Sequence, residues 1–107
     1  MQQITPADLA AWLNDPAKGQ PLLLDVREPT EHAICRIEGS TLMPMNSVPA
    51  RLAELDPARE TVVICHHGGR SMQVAIFLER RGFERVINLA SGVDGWATQV
   101  DPAMARY

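Results

Sequence analysis

Cys65 stands where a thiol can act as a nucleophile, because it ends a run of β-prone residues and a glycine-bearing loop follows it. The residues after it are His66, His67, Gly68, Gly69, Arg70 and Ser71. A helical pattern comes next, with Ser71 as its expected N-cap. This order places the thiol among backbone N–H groups at the positive end of a helix. Such surroundings lower a cysteine pKa from about 8.5 toward the neutral range or below, so Cys65 is predicted to react as a thiolate.

The same loop is predicted to bind an anion. Gly68 and Gly69 permit backbone angles that other residues resist, so the amides of residues 66–71 can all point inward. Arg70 adds a cation beside them. A nucleophilic sulfur next to an oxyanion pocket is compatible with three chemistries. These are phosphoryl transfer through a cysteinyl phosphate, arsenate reduction, and sulfur transfer in which the thiolate becomes a persulfide.

Other residues that could bind a metal or react are less well placed. His66 and His67 adjoin Cys65, but three consecutive residues on a tight loop cannot easily converge on one ion, and no fourth ligand is evident. We therefore expect neither a metal nor another cofactor. Either histidine could instead tune the thiolate, because imidazole titrates near neutral pH. Cys35 forms no Cys-x-x-Cys pair with Cys65 and is expected to be a partly exposed thiol without a catalytic role.

The composition is that of an ordinary globular domain. The chain has 107 residues, of which 46% are hydrophobic and 21% charged, and its formal net charge is -3. It contains no extended basic run and no apolar run near the ~18 residues of a membrane span, which argues against nucleic-acid and membrane partners. No signal peptide is visible at the N-terminus. We expect one domain over residues 1–107, a cytoplasmic location and two reduced thiols.

Strand and helix patterns alternate along the chain. Helices are expected at about 6–14, 29–35, 49–55 and 71–81, with the first capped by Thr5. Strands are expected at about 22–26, 41–43, 61–64 and 85–88. Residues 46–48 are expected to be loop, and the segment after Gly92 a loop that leads to a last helical turn. This alternation predicts an α/β domain with a mainly parallel sheet, in which the strand ending at Cys65 is buried.

The chain resembles the single-domain rhodaneses, which are thiosulfate sulfurtransferase-type proteins, from about Ile4 to Trp96. Four motifs carry the resemblance. They are Asp25-Val26-Arg27-Glu28 with Glu31, Ile37-Glu38-Gly39-Ser40 with Pro44, Cys65 to Arg70 with Ser71, and Gly82-Phe83 with Val86, Gly92, Gly95 and Trp96. Residues 35–38 depart from the Gly-His-Ile-Pro that is usual in the family. The resemblance implies a rhodanese-like three-layer domain with a mainly parallel central sheet and helices on both faces.

The resemblance also implies an activity. Cys65 would take a sulfane sulfur from thiosulfate or a related donor and pass it, as a persulfide, to cyanide or a thiol acceptor. Arg70 would orient the oxyanion donor, and Asp25 and Arg27 would support the loop from the neighbouring strand. The implied substrate-binding residues are His66, His67, Gly68, Gly69, Arg70 and Ser71.

Loop length favours sulfur as the cargo. Cys65 to Arg70 spans six residues, and the phosphatases that resemble this fold carry one residue more, which suits the wider phosphate or arsenate. A relay module that carries persulfide between protein partners remains an alternative to a thiosulfate enzyme. A phosphatase or arsenate reductase of the same fold is a further alternative.

Overall fold

A parallel sheet of five strands forms the centre of the computed structural model, which describes residues 1–107. The strands are β1 Gln2–Ile4, β2 Leu22–Asp25, β3 Thr41–Leu42, β4 Thr61–Ile64 and β5 Val86–Leu89. The helices are α1 Pro6–Leu13, α2 Pro29–Ile34, α3 Gly69–Arg80 and α4 Gly92–Gln99. In space the strands follow the order β1-β5-β4-β2-β3, and every pair is parallel. The predicted parallel α/β architecture is therefore confirmed.

Each face of the sheet is covered by its own apolar core. One core joins α3 to the sheet and includes Leu24, Val63, Cys65, Val74, Ala75, Leu78 and Val86. The other joins α1 and α4 to the opposite face and includes Leu9, Leu23, Val62, Ile64, Ile87, Val93 and Trp96. Strands β4 and β5 contribute to both cores, which explains why they are buried along their whole length. None of the helices is long and apolar enough to cross a membrane.

The strongest sequence signals give elements close to their predicted bounds. Helix α1 begins after Thr5, whose hydroxyl accepts a hydrogen bond of 3.2 Å from the backbone N–H of Asp8. Helix α2 begins after Glu28, and Glu31 completes a capping box with it. Because β2 and β4 are adjacent and parallel, their carboxyl ends meet at one edge of the sheet. The segments after both strands therefore face each other there.

Helix α3 begins earlier than predicted. Its N-cap is Gly68, which has the left-handed φ of 109°, and Gly69 is its first helical residue. Ser71 is thus the third helical residue and not the cap, so that prediction is wrong. The physical reason is that a glycine in the left-handed region turns the chain straight from the loop into the helix. The Ser71 side chain is consequently free to point inward.

Three further segments differ from expectation. Strand β1 was not predicted, because three residues with an exposed polar start carry little pattern. Residues 46–48 overlap a 3-10 turn at Met45–Ser47, and residues 49–55 form only the 3-10 turn Leu52–Glu54. Residues Gly92–Gln99 form a full helix of eight residues. Two glycines lower the intrinsic helix propensity of that segment, but burial of Val93 and Trp96 overrides it.

Candidate active site

Cys65 follows the last residue of β4 and lies at the carboxyl end of the central part of the sheet. Only 1% of the surface of Cys65 is exposed to solvent. The N–H of Gly68 donates a hydrogen bond of 3.0 Å to Sγ, and the hydroxyl of Ser71 lies 3.3 Å from the same atom. The amide of Gly68 is one of the loop amides expected around the thiol, whereas the hydroxyl of Ser71 was expected to cap the helix and lies at the sulfur instead.

The acidity of Cys65 results from two opposing effects. Burial disfavours the charged thiolate and is the largest single influence. Hydrogen bonds from the Ser71 hydroxyl and from the amides of Ser71, Gly68 and His67 act in the other direction. Together they hold the pKa of Cys65 below its ordinary value. The loop therefore stabilises negative charge on sulfur although the site is largely closed to water.

Only one of the two loop glycines is needed for its backbone angles. Gly68 has a φ of 109°, and a Cβ there would lie 3.4 Å from the amide nitrogen of Ser91. Gly69 has an ordinary helical conformation, and a Cβ there would meet no atom within 4 Å. The expectation that both glycines serve the inward-pointing amides is thus corrected to Gly68 alone.

The N-terminus of α4 supports the Cys65 loop through two backbone hydrogen bonds. The amide of Val93 donates to the carbonyl of Cys65 at 2.9 Å, and the amide of Asp94 donates to the carbonyl of His66 at 3.0 Å. The close approach depends on Gly92, which has a φ of 56° and where a Cβ would lie 2.3 Å from the Cys65 carbonyl oxygen. In the sequence Gly92 is part of a motif, but nothing in its neighbours indicates that it lies against the backbone of the nucleophile.

Arg70 is bound by a carboxylate from another element. Its Nη1 and Nη2 donate to the two oxygens of Glu31 at 2.7 and 2.9 Å, so the guanidinium and the carboxylate form a bidentate pair. The hydrogen bond from Arg70 lowers the pKa of Glu31 to about 2, against the opposing effect of burial. Arg70 therefore ties α3 to α2 across the mouth of the loop. To orient an oxyanion as well, the guanidinium of Arg70 would have to bind that oxyanion and Glu31 at the same time.

Asp25, the last residue of β2, and Arg27 form a fully buried ion pair. The shortest contact joins Arg27 Nη2 to Asp25 Oδ2 at 2.7 Å, and both side chains are 0% exposed. Neither side chain bonds directly to residues 65–71. Arg27 instead reaches the carbonyl of Glu31 at 3.3 Å and that of Cys35 at 2.7 Å. The structure thus connects this pair to the loop through α2 and the Glu31–Arg70 contact.

A tyrosine from the C-terminal segment completes this network. The hydroxyl of Tyr107 donates to Glu31 at 2.8 Å and accepts from Arg27 at 2.9 Å. Its ring stacks on that of His66 with centroids 3.9 Å apart. Burial raises the pKa of Tyr107 to about 12, and the bond to Glu31 adds to this effect while the bond from Arg27 opposes it. No sequence pattern marked Tyr107, because its contacts depend entirely on where the final segment packs.

His66 and His67 lie on the outer side of the loop. Their rings are 3.9 Å apart, and the His67 side chain is 68% exposed. Burial, followed by the neighbouring His67, lowers the pKa of His66. The ligand atoms of both histidines and of Asp94 come within 4.8 Å of one another, a convergence that the sequence did not anticipate. Asp94 is already paired with Arg106 at 2.8 Å, so a cation bound there would have to displace an arginine.

Asn88 and Cys35 complete the surroundings of the site. Asn88, on β5, is 1% exposed and lies 2.5 Å from the Ser71 hydroxyl through Oδ1. The sequence does not indicate this contact, because a single polar residue within an apolar pattern is equally compatible with an ordinary strand position. Cys35 is a free, partly exposed thiol whose Sγ lies 3.8 Å from Nη1 of Arg27.

The arrangement can support nucleophilic chemistry at sulfur. A buried thiolate receives hydrogen bonds from the loop, and inward amides remain close to any group that becomes bonded to it. Three arginines of this network are each paired with a carboxylate: Arg70 with Glu31, Arg27 with Asp25, and Arg106 with Asp94.

Comparisons with known proteins agree with this geometry. Residues 5–99 match the model of the rhodanese-like domain. The chain is 34% identical to the rhodanese-like/PpiC domain-containing protein 12 of Arabidopsis thaliana, over all of the chain but 38% of that protein's length. It is 37% identical to a sulfurtransferase of Allochromatium vinosum, over 78% of each chain. The crystal structure of a rhodanese-like domain protein from Staphylococcus aureus superposes with a TM-score of 0.82 and 28% identity, over 90% of this chain and 91% of that one.

Proposed function

The chain belongs to the rhodanese-like domain family, and from this premise we propose that it transfers a sulfane sulfur through a persulfide on Cys65. Family membership and the likeness to a sulfurtransferase support a role in sulfur transfer. The donor is thiosulfate or a related persulfide, and the acceptor is cyanide or a thiol, which includes a thiol on a protein. Residues 1–107 act as one rhodanese-like domain in a reducing compartment such as the cytoplasm, where both cysteines stay free.

The reaction consists of two displacements at sulfur. First, the Cys65 thiolate attacks the outer sulfur of the donor, and an Sγ–S bond forms. The S–S bond of the donor breaks, and its electron pair leaves with sulfite or with the donor thiolate. In the second step, cyanide or a thiolate attacks the outer sulfur of the persulfide, and the Sγ–S electron pair returns to Cys65. The two steps balance without an external oxidant or reductant.

The main support for the proposal is that two hydrogen-bond donors lie at the sulfur of Cys65. Gly68 N–H, at 3.0 Å, and the Ser71 hydroxyl, at 3.3 Å, stabilise the thiolate that both steps require. The loop amides of residues 66–71 are the groups that would hold the terminal sulfur of a persulfide. The exposed His67, and His66, whose ring stacks on that of Tyr107, would contact the donor or acceptor at the outer side of the loop.

The state of Arg70 favours sulfur over phosphate. A phosphoryl transfer site needs a cation free to share the charge of the transferred group. Here both terminal nitrogens of Arg70 bind the carboxylate of Glu31. The six-residue loop from Cys65 to Arg70 is also narrow for a phosphate or arsenate group. These features make a phosphatase or arsenate reductase the weaker proposal.

A persulfide-relay module is a second candidate, favoured by the same pairing of charges. Arg27, Arg70 and Arg106 each contact a carboxylate, so little free positive charge is available to a dianion such as thiosulfate. A donor persulfide on a protein thiol carries less charge and depends less on such cations. Rates with thiosulfate and with a persulfide carried on a protein thiol distinguish the two candidates, because a relay module should react faster with the protein persulfide.

Formation of thiocyanate from a sulfur donor and cyanide tests the proposal. Wild type and Cys35→Ser are expected to turn over at similar rates, whereas Cys65→Ser is expected to lose turnover. Equal activity of Cys65→Ser and wild type would contradict the proposed role of Cys65.

A further inference from the structure

The hydroxyl of Ser71 has two acceptors within reach but only one proton to donate. Its oxygen lies 2.5 Å from Oδ1 of Asn88 and 3.3 Å from Sγ of Cys65. All three residues are at most 1% exposed. The side-chain oxygen of Asn88 and the sulfur of Cys65 therefore compete for the same buried donor.

The orientation of the Asn88 amide is fixed by its other contacts. Its Nδ2 donates to the carbonyl of Gly68 at 3.2 Å and to Oε1 of Gln3 at 2.9 Å. The Gly68 carbonyl only accepts, so a flipped amide would set two oxygens against each other. Oδ1 must therefore face Ser71, where it accepts the hydroxyl proton.

We propose that Asn88 is a positioning residue for sulfur transfer, which holds the Ser71 hydroxyl while Sγ is uncharged and yields it to the thiolate. The proposal rests on the proposed function, because the persulfide is one of the states with an uncharged Sγ. In the thiol and in the persulfide, Ser71 donates to Asn88. In the thiolate, the full charge on Sγ attracts the same hydrogen bond.

The switch of the Ser71 hydrogen bond between Asn88 and Cys65 favours the states in which Sγ is uncharged. The hydroxyl only rotates, so no proton leaves Ser71 and no bond between heavy atoms changes. Asn88 stabilises the thiol and the persulfide relative to the thiolate, because only in those two states is its Oδ1 satisfied. Removal of Oδ1 should consequently lower the pKa of Cys65 and make the persulfide a better sulfur donor.

Charged and titratable groups from several elements also face this site, and the substitutions at Asn88 leave all of them in place. They are Glu31 on α2, Arg70 on α3, Asp94 on α4, the loop residues His66 and His67, and Tyr107. The buried Asp25–Arg27 pair contacts α2 through the hydrogen bond from Arg27 to the carbonyl of Glu31. A change confined to Asn88 thus reports on the hydrogen bond to Ser71 against a constant charge background.

The test is a double-mutant cycle on the pKa of Cys65, measured from the pH dependence of thiol alkylation in the absence of any sulfur donor. Asn88→Leu keeps the branched shape and removes Oδ1 together with Nδ2, whose loss is common to both backgrounds of the cycle, and we expect the pKa to fall by about one unit. In a Ser71→Ala background the same substitution should leave the pKa unchanged. An equal shift in both backgrounds, or a rise in the wild-type background, would overturn the proposal. Asn88→Ala serves as the second variant if Asn88→Leu does not fold.

Gln3→Leu is the matched control. It removes one partner of Nδ2 but leaves Oδ1 against Ser71, so the pKa of Cys65 should not move. A shift as large as that of Asn88→Leu would show that general loosening of the site is responsible, and it would overturn the proposal.

A second readout separates this proposal from the proposed function. In a glutathione persulfide–glutathione buffer at a pH above the pKa of Cys65, where free Cys65 is the thiolate, the ratio of persulfidated to free Cys65 should fall about tenfold in Asn88→Leu. An unchanged ratio in a variant whose pKa has moved would overturn the persulfide part of the proposal. Absence of any persulfide in wild type, with the pKa cycle as expected, would overturn the proposed function and support the thiol–thiolate part alone.

Discussion

Glu31 and Arg70 lie 39 positions apart in the sequence, and their side chains form a bidentate ion pair with contacts of 2.7 and 2.9 Å. The pair joins α2 to the first turn of α3, directly beside the loop that holds Cys65. Arg70 is in this way part of the framework that keeps the loop in shape.

The Glu31–Arg70 pair predicts a specific acid sensitivity. The pKa of Glu31 is about 2 in the folded protein, below the 4.5 that is ordinary for glutamate. A lowered folded-state pKa contributes stability that is present above about 4.5 and is lost as the pH falls toward 2. Urea denaturation should therefore show a larger loss of stability over this range in wild type than in Glu31→Gln, which keeps only the contributions of other carboxylates such as Asp94. Identical pH profiles of the two proteins would contradict the ion pair.

Tyr107 provides a second titration with a clean signal, because it is the only tyrosine of the chain. Burial and the bond to Glu31 raise its pKa from 10.0 to about 12. A phenol with a raised folded-state pKa contributes stability at neutral pH, which is lost as the pH rises from 10 through 12. Ultraviolet difference absorbance of the phenolate should show a midpoint near the upper value. A midpoint near 10 in the folded protein would mean that the tyrosine does not pack against His66 and Glu31.

Gly92 predicts a steric requirement under the nucleophile. A Cβ there would lie 2.3 Å from the Cys65 carbonyl oxygen, and the residue also has a φ of 56°. Gly92→Ala should lower the free energy of unfolding by about 2–4 kcal/mol and slow alkylation of Cys65, because the clash must displace the loop.

Gly39→Ala is the control for Gly92→Ala. Gly39 has a similarly positive φ of 82°, but a Cβ there would meet no atom within 4 Å. Gly39→Ala should lower the free energy of unfolding by only about 1 kcal/mol, because of backbone strain, and should not change the reactivity of Cys65. Equal costs of the two substitutions in urea denaturation would contradict the steric argument.

The buried Asp25–Arg27 pair predicts a non-additive effect on stability. Arg27→Met leaves a buried carboxylate without its partner, which should cost about 3–5 kcal/mol in urea denaturation. The double variant Asp25→Leu with Arg27→Met removes both charges and should recover part of that loss. Additive losses would show that the two side chains stabilise the fold independently of each other.

Much of the fold was predictable because its strongest signals are local. The apolar runs of β2 and β4, the Thr5 cap and the glycine-bearing loop identify strands, helices and the nucleophile from neighbouring residues alone. The sequence predicted structure less well in segments where tertiary packing overrides local propensity. Helix α4 is one, because its glycines argue against a helix until Trp96 is buried.

The site was less predictable because its supports come from distant parts of the chain. Asn88 is a polar residue in an apolar strand, and nothing in its neighbours indicates that it reaches Ser71. Arg70 was expected to face an anion, but whether an arginine is free depends on which carboxylate the fold brings to it. Here that carboxylate is Glu31. The cap at Gly68 likewise depends on a left-handed φ that a Gly-Gly pair permits at either position.

Intact mass spectrometry of the protein after incubation with thiosulfate or glutathione persulfide tests the central claim most directly. Wild type and Cys35→Ser should each gain the mass of one sulfur atom, cyanide should remove it, and Cys65→Ser should gain none. Absence of the adduct with both donors, together with turnover of an aryl phosphate by wild type, would contradict sulfur transfer through Cys65.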